Sequence, residues 1–156
     1  MFIIGPDATR TAGSRATTPT MHLLNTYLVE DSRVIRDALI ATLEELGPVR
    51  VVGFAEDEAT ALRWLRDSGD PVDLVIIDLF LKSGSGLGVL RAATALPQPP
   101  RMVVLSNYAS PYMRRECLAL GADRVFDKST EIDALVQYCA GLETGDLAAD
   151  VLPAPA

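Results

Sequence analysis

Short apolar runs alternate along the chain with longer stretches in which apolar residues recur every three or four positions. Short runs bounded by polar residues predict β-strands, whereas the longer spacing predicts helices with one buried face. The predicted strands are 26–29, 49–54, 72–77, 101–105 and 125–126. A helical stretch follows each of them, so the pattern predicts five strand–helix units in series.

Local signals mark where some of the helices begin and end. Ser110-Pro111 is typical of an N-cap followed by a first-turn proline, and Gly121 ends the helix that this pair opens. Thr130 is predicted to cap the last helix. These signals agree with the hydrophobic pattern on the number and order of the elements.

The alternation of strands and helices predicts a parallel sheet with helices on both faces, because each parallel connection must cross over the sheet. The run 72–77 is apolar almost throughout, which is typical of a central strand buried on both faces. Ligands of such sheets bind beyond the carboxyl ends of the strands. The residues that follow each strand are therefore the candidates for function.

Four of the five predicted strands end in a polar or charged residue. These residues are Glu30 and Asp31 after the first strand, Asp78 after the third, Ser106 after the fourth and Lys128 after the fifth. Three carboxylates at one edge repel each other unless a cation neutralises them, and oxygen-only ligands suit Mg²⁺. No His or Cys lies near a strand end, which argues against zinc or copper.

Lys128 adds a positive charge to the same predicted edge. An ammonium beside a metal and carboxylates would hold an anion such as a phosphoryl group, to which the Ser106 hydroxyl could also donate. An acid after a strand can instead be a helix N-cap, so Asp31 or Ser32 could cap the first helix and Asp78 could be a loop residue. Lys128 is harder to explain as surface charge, because the chain has two lysines and twelve arginines.

The length of 156 residues predicts one domain, and the net charge of −7 argues against nucleic-acid or anionic-membrane partners. No apolar stretch is long enough for a membrane span, and the N-terminus lacks the pattern of a secretory signal. Cys117 and Cys139 have no metal-site spacing and predict two buried apolar positions. These observations favour the cytoplasm.

The two ends of the chain differ from its centre in composition. Residues 1–25 are rich in Thr, Ser, Ala, Gly, Pro and Arg and predict a disordered N-terminal extension. Residues 26–143 form the predicted domain, and 144–156, which contain two prolines, predict a flexible tail. About a dozen residues follow the last helix, so we expect the domain to act alone, without an output domain of its own.

Together, the strand-end segments resemble the receiver domain of response regulators, the phosphoacceptor module of two-component signalling. The matching segments are Tyr27–Ser32, Val72–Leu79, Val103–Ser106 and Gly121–Lys128, in the family's order and at similar spacing. The resemblance implies a CheY-like (βα)5 fold, which is a doubly wound, five-stranded parallel sheet with the flavodoxin-like strand order 2-1-3-4-5.

The resemblance also implies a role for each strand-end residue. Asp78 would be the phosphoacceptor, Glu30 and Asp31 would hold Mg²⁺ together with Asp78, Ser106 would be the hydroxyl switch residue, and Lys128 would contact the phosphoryl group. The backbone carbonyl of Phe80 would be a further metal ligand.

The partners that the resemblance implies are proteins. The donor would be a histidine kinase or a histidine phosphotransfer protein, and the output would pass to a downstream protein that the sequence does not identify. A homodimer through the fourth and fifth units is possible, with polar contacts from Arg114, Arg115 and Arg124, although a solvated charged face explains these arginines as well. Self-phosphorylation and self-dephosphorylation would be the only chemistry, so we do not expect an enzyme.

The chain departs from the family pattern at three positions. Val125 stands where many receivers have Tyr or Phe, Asn107 where a small residue is common, and Ser129 where proline is common. The neighbouring Phe126 cannot replace the missing aromatic residue, because adjacent strand residues point to opposite faces. We therefore expect intact phosphorylation chemistry and an unusual coupling to the output.

Two aromatic residues could affect the lifetime of an aspartyl phosphate. Phe80 and Tyr108 lie two residues after Asp78 and Ser106, at positions that flank the phosphoryl group in the family. Bulky side chains there would shield it from water, which predicts slow autodephosphorylation, although both could be ordinary rim residues.

Three other interpretations fit the sequence less well. The glycine-rich segment Gly84–Gly88 follows the third strand and has Val89 where a dinucleotide loop needs glycine, so it predicts a flexible loop. A scaffold module that works without phosphorylation is favoured by Val125 and Asn107 and opposed by the complete set of acids and lysine. An aspartate-nucleophile phosphohydrolase would need a second acid at the position of Phe80.

Overall fold

The computed structural model describes residues 22–107 and 109–144. Five strands alternate with five helices over these ranges. The elements are β1 (Leu24–Val29), α1 (Arg33–Leu46), β2 (Val49–Ala55), α2 (Glu58–Asp67), β3 (Leu74–Asp78), α3 (Gly86–Thr94), β4 (Arg101–Ser106), α4 (Pro111–Ala119), β5 (Arg124–Asp127) and α5 (Ile132–Thr144).

All five strands are parallel and lie in one sheet in the order β2-β1-β3-β4-β5. This order confirms the predicted doubly wound α/β fold. The chain moves outward from β1 to β2 and then returns to the other side of β1 to form β3. The carboxyl ends of β1 and β3 therefore flank the switch point at which such folds bind their ligands.

Alternate residues of each strand face two separate hydrophobic clusters, as the pleat of a strand requires. One cluster joins the sheet to α2, α3 and α4, and the other joins it to α1 and α5. Every residue of β3 is buried, which agrees with its predicted central position. The two faces are thus filled mainly by apolar side chains, and the buried charged residues Glu30 and Asp78 lie at the carboxyl end of the sheet.

Several predicted boundaries differ from the observed ones. β1 begins at Leu24 rather than at Thr26, because the backbone N–H of Leu24 donates to the carbonyl of Pro48 at 2.7 Å. The prediction for Thr130 was wrong: α5 begins at Ile132, and the backbone N–H of Thr130 donates to Oδ1 of Asp127 at 3.2 Å. The backbone N–H of Leu135 donates to the carbonyl of Glu131 at 3.1 Å, so Glu131 and not Thr130 is the residue that precedes α5.

Other local predictions agree with the structure. Ser110 caps α4 by accepting from the backbone N–H of Met113, with proline in the first turn. Cys117 and Cys139 are free and buried, and burial raises the pKa of the Cys139 thiol to about 12. No helix among the described residues is long and apolar enough to cross a membrane.

The predicted N-terminal extension and C-terminal tail lie largely outside the described residues. Two residues assigned to the extension, Leu24 and Asn25, belong to β1 instead. Asn25 is anchored there, since its backbone N–H donates to Oδ2 of Asp73 at 2.8 Å. The ordered sheet therefore starts slightly earlier than the hydrophobic pattern indicates.

Two leucines of α1 provide a test of the α1–α5 cluster. Leu43 is fully buried, whereas Leu46 on the same helix is 62% exposed. Leu43→Ala should lower the free energy of unfolding by about 3 kcal/mol, because it removes buried apolar atoms and leaves a cavity. Leu46→Ala should change it by less than about 0.5 kcal/mol. Urea unfolding of both variants measures the difference, and equal effects would contradict the observed facing of α1.

Candidate functional site

Three carboxylates and one ammonium meet at the carboxyl edge of the sheet. Glu30, Asp31 and Asp78 each offer an oxygen, and these oxygens all lie within 4.8 Å of one another. Nζ of Lys128 lies 2.7 Å from Oε1 of Glu30 and 3.3 Å from Oδ2 of Asp78. Within residues 22–107 and 109–144, this is the one cluster of three or more His, Cys, Asp or Glu residues that could hold a metal ion.

The charged groups of this cluster are largely removed from water. The side chains of Glu30, Asp78 and Lys128 are 1%, 7% and 8% exposed. Burial, and after it the charge of Glu30, raises the pKa of Asp78 to about 6, although the ammonium of Lys128 opposes the rise. Burial by itself would lower the pKa of Lys128, but its contacts with Glu30 and Asp78 raise it.

The charge balance of the cluster favours a further cation. Three carboxylates face a single ammonium, so negative charge remains in excess when all four groups are ionised. No donor in the described part of the chain makes a well-directed hydrogen bond to the buried Oε1 of Glu30, which Lys128 reaches as an ion pair. An all-oxygen set with excess negative charge fits a hard divalent cation such as Mg²⁺.

Backbone contacts hold both acids that follow β1. Oε2 of Glu30 accepts from the backbone N–H of Ser32 at 3.0 Å, and Oδ2 of Asp31 accepts from that of Lys82 at 2.6 Å. Ser32, rather than Asp31, caps α1 by accepting from the backbone N–H of Ile35. The carboxylate of Asp31 is thus directed to the sheet edge and the loop after β3.

Asp78 is the last residue of β3 and lies against the backbone of the next loop. Its Oδ1 accepts from the backbone N–H of Phe80 at 3.3 Å. Gly86, the first residue of α3, packs so closely that a β-carbon there would overlap the carbonyl oxygen of Asp78. The role predicted for the Phe80 carbonyl stays a prediction, and Tyr108 lies outside the described residues.

Ser106 and Lys128 are linked through the backbone of β4 and β5. Ser106 is fully buried at the end of β4, and its carbonyl accepts from the backbone N–H of Lys128 at 3.0 Å. In the register of the sheet, Ser106 pairs with Asp127 and Leu105 pairs with Asp78. The hydroxyl residue and the lysine therefore lie at the same edge as the acids.

The side chains of β5 point as the strand pattern predicts. Val125 packs in the cluster that contains α4, whereas Phe126 faces α5 and lies edge-on to Tyr138, with ring centres 6.0 Å apart. Phe126 is therefore on the opposite face from the position of the usual aromatic switch residue. The structure contains a valine, and no aromatic ring, at that position.

Arg114 of α4 makes contacts that the sequence did not reveal. Its guanidinium donates to the carbonyls of Ala109 at 3.0 Å and Val125 at 2.7 Å, and to Oε1 of Glu131 at 3.0 Å. Arg124 lies over the ring of Tyr138 at 5.3 Å. Both arginines thus make contacts within the chain, and their part in a dimer stays a prediction.

The glycine-rich segment Gly84–Gly88 is docked against α2 instead of being a flexible loop. Oε1 of Glu58 accepts from the backbone N–H of Ser85 at 2.8 Å. A β-carbon at Gly88 would overlap the Glu58 carboxylate, so glycine lets this flexible side chain lie against the start of α3 without shifting. The backbone N–H of Ser85 is thus paired with a carboxylate of this chain.

An apolar groove of about 380 Å³ borders the site between α1 and the start of α5. Its lining includes Val34, Ile35 and Ile132 together with Asn107 and Lys128. The side chain of Val34 is 79% exposed. The charged cluster therefore lies beside an exposed apolar surface.

The parallel sheet order and the acids and lysine at its carboxyl edge define a receiver module. The family model for the response regulator receiver domain matches residues 26–140, and the chain belongs to that family. Receiver domains are signalling phosphoacceptors of two-component systems, and they generally bind Mg²⁺ at an acidic pocket. This chain has an acidic cluster at the corresponding edge of its sheet.

Two curated relatives are bacterial proteins of greater length. A probable transcriptional regulatory protein of Picosynechococcus is 35% identical over 120 residues, which cover 74% of this chain and 47% of that protein. A protein-glutamate methylesterase/protein-glutamine glutaminase of Myxococcus xanthus is 30% identical over 131 residues, covering 76% of this chain and 37% of that protein. The chain spans less than half of the length of either relative.

Solved structures share the fold. The receiver domain of the putative response regulator NarL from Mycobacterium tuberculosis superposes with a TM-score of 0.69 at 22% identity, covering 80% of this chain and 98% of that one. The phosphorylated cyanobacterial phytochrome response regulator RcpA superposes with a TM-score of 0.62 at 25% identity, covering 81% of this chain and 96% of that one.

The contact between Gly86 and Asp78 provides a test of the packing behind the site. Gly86→Ala should lower the free energy of unfolding by about 1–3 kcal/mol, because the new methyl group must displace backbone atoms. In an unobstructed helix the same change would be stabilising, so the sign of the change in unfolding free energy tests the packing. The control is Gly69→Ala, where nothing lies within 4 Å of the added atom. Denaturant unfolding should separate the two, and a stabilised Gly86→Ala would contradict the packing.

Proposed function

We propose that Asp78 accepts a phosphoryl group from a phosphohistidine of a histidine kinase or a histidine phosphotransfer protein. The observation that carries this proposal is the meeting of three carboxylates within 4.8 Å of one another with a lysine that contacts two of them. Asp78 is the member that ends the central strand. Its Oδ2 lies 3.3 Å from the Lys128 ammonium, which favours the ionised, nucleophilic form of the carboxylate.

The metal in this proposal is Mg²⁺, held by Glu30, Asp31 and Asp78 and by the backbone carbonyl of Phe80. The all-oxygen donor set and the excess negative charge support this choice. When bound, Mg²⁺ supplies positive charge that offsets the negative charge of the transferred phosphoryl group.

The transfer replaces one bond to phosphorus with another. A carboxylate oxygen of Asp78 attacks the phosphorus, the bond to the donor's imidazole nitrogen breaks, and its electron pair remains on that nitrogen. Lys128 is placed to pair with the phosphoryl oxygens, and Ser106 is the hydroxyl that would donate to one of them. The new charge would then bias the loops after β4 and β5, which carry these two groups.

The apolar groove beside Lys128 supports a protein as the donor. Val34 is strongly exposed, and an exposed apolar patch next to a reactive site is typical of protein–protein contact. The net charge of −7 supports protein rather than nucleic-acid partners. The downstream protein, a homodimer and action without an output domain stay predictions, since the curated relatives named above are longer than this chain.

Phosphorylation can be measured by mass spectrometry of the intact protein. Incubation with Mg²⁺ and acetyl phosphate should add one phosphoryl group, and Asp78→Asn should abolish the addition because it removes the nucleophile. Asp57→Asn is the matched control: Asp57 caps α2 after β2, and asparagine also serves as an N-cap. Labelling that persists in Asp78→Asn would overturn the assignment, and no labelling of the wild type would favour a phosphorylation-independent module.

Phe80 should influence how long the phosphoryl group remains. Its side chain is 53% exposed at the rim of the site, while its backbone N–H contacts Asp78. Phe80→Ser should shorten the half-life of the phosphorylated protein several-fold, because water gains access to the phosphorus. Tyr112→Ser, which changes another exposed aromatic residue, is the control. Both half-lives can be followed by intact mass after removal of acetyl phosphate, and an unchanged value for Phe80→Ser would contradict the shielding role.

A further inference from the structure

Arg36 is a buried cation that contacts the backbone of the site and none of its proposed reacting atoms. It is 5% exposed, although it lies on α1. Its Nη1 donates to the carbonyl of Glu30 at 3.3 Å and to Oε2 of Glu56 at 3.0 Å. The guanidinium carbon lies 4.1 Å from the centre of the Phe54 ring. Arg36 thereby joins α1 to the loops that follow β1 and β2.

The position of Arg36 on its helix makes these contacts informative. Arg36, Leu39 and Leu43 are the buried residues of α1, at the spacing of one helix face. A buried position on such a face is usually occupied by an apolar residue. A buried charge is unfavourable unless it is paired and hydrogen-bonded, and Nε of Arg36 has no partner among the described residues. Packing of α1 by itself therefore does not explain an arginine here.

The contact with Glu30 completes the fixation of that residue. The backbone N–H of Glu30 donates to the carbonyl of Ala55 at 3.0 Å. Oε2 of Glu30 accepts from the backbone N–H of Ser32, and the Glu30 carbonyl accepts from Nη1 of Arg36. With these three points held, Oε1 of Glu30 is directed to the ammonium of Lys128 at 2.7 Å. Asp31 follows directly, so the peptide that Arg36 holds joins the two acids of the cluster.

The partner of Arg36 limits the effect of its charge on a nearby metal ion. Glu56 forms an ion pair with the guanidinium, and its side chain is 57% exposed to water. The carboxylate of Glu56 thus balances the charge of Arg36 at the same nitrogen, Nη1, that donates to the Glu30 carbonyl. What remains is a geometric role, in which the planar guanidinium bridges two loops at the edge of the sheet.

We propose that Arg36 is a positioning residue for the acidic cluster, and that it holds the Glu30–Asp31 peptide in the geometry that binds Mg²⁺. The inference rests on the proposed function only for its consequence in phosphoryl transfer. Its direct consequence is metal affinity, which can be measured without phosphorylation. Loss of the Arg36 contacts should allow the two acids to shift and weaken the site.

The experiment compares Arg36→Met and Arg36→Lys with Arg33→Met. Arg33 lies on the same helix, and its side chain is 83% exposed beside Asp37. Calorimetric titration with MgCl₂ alone should show a Kd raised about 10-fold in Arg36→Met, as is typical when a group that orients a metal ligand is removed. Arg36→Lys should restore part of the affinity because it keeps one donor, and Arg33→Met should match the wild type.

A second pair of variants serves if Arg36→Met does not fold. Glu56→Gln removes the charged partner of Arg36 at an exposed position, whereas Asp57→Asn removes a neighbouring charge that does not contact Arg36. Glu56→Gln should raise the Mg²⁺ Kd several-fold more than Asp57→Asn does. Equal shifts in this pair would show a general charge effect and overturn the positioning role.

Stability and labelling measurements separate this inference from the proposed function. Arg36→Met with lower stability in urea but an unchanged Mg²⁺ Kd would show a structural role only and overturn the inference. Wild-type protein that binds Mg²⁺ but acquires no phosphoryl group on Asp78 would overturn the proposed function and leave the inference standing if Arg36→Met binds more weakly. Absence of Mg²⁺ binding by the wild type would overturn both.

Discussion

The contact of one ammonium with two buried carboxylates is the interaction on which the rest of the site depends. Glu30 and Asp78 are almost fully buried, and unpaired charges at these positions would be strongly unfavourable. Lys128, which follows the edge strand β5, contacts both of them. These ion pairs stabilise the buried acids, and because one lysine cannot balance three acids, the cluster still favours a further cation.

The surrounding backbone is arranged to keep these charges in place. Arg36 holds the carbonyl of Glu30, the loop after β3 donates a backbone N–H to Asp31, and Gly86 allows α3 to approach Asp78 closely. Glu58 of α2 accepts a hydrogen bond from Ser85 in the loop after β3. Each contact joins two segments of the carboxyl edge, so the acids are supported by several loops at once and by no single element.

The surface formed by α4, β5 and the start of α5, which would carry a signal, differs from the family pattern. Val125 packs into the α4 cluster where an aromatic ring is common, and Arg114 links α4 to the carbonyl of Val125 and to Glu131 before α5. The loop after β4, β5 and the start of α5 are therefore joined by one guanidinium. These elements are thus joined by hydrogen bonds at a face where position 125 carries valine and no aromatic ring.

Hydrophobic periodicity by itself determined the five strand–helix units. Those units in turn placed Asp78, Ser106 and Lys128 at the carboxyl ends of their strands. The physical reason is that the spacing of apolar residues shows which face of a strand or helix each residue lies on. Parallel strands also bring their carboxyl ends to the same edge of the sheet. Only the tertiary structure decided that Lys128 contacts Glu30 and Asp78, that Arg36 binds Glu56, and that Glu58 docks on Ser85. The last two pairs are separated by 20 and 27 positions, and no local pattern specifies which distant polar groups meet. Those contacts depend on the packing of helices onto both faces of the sheet, which is settled only when the whole chain has folded.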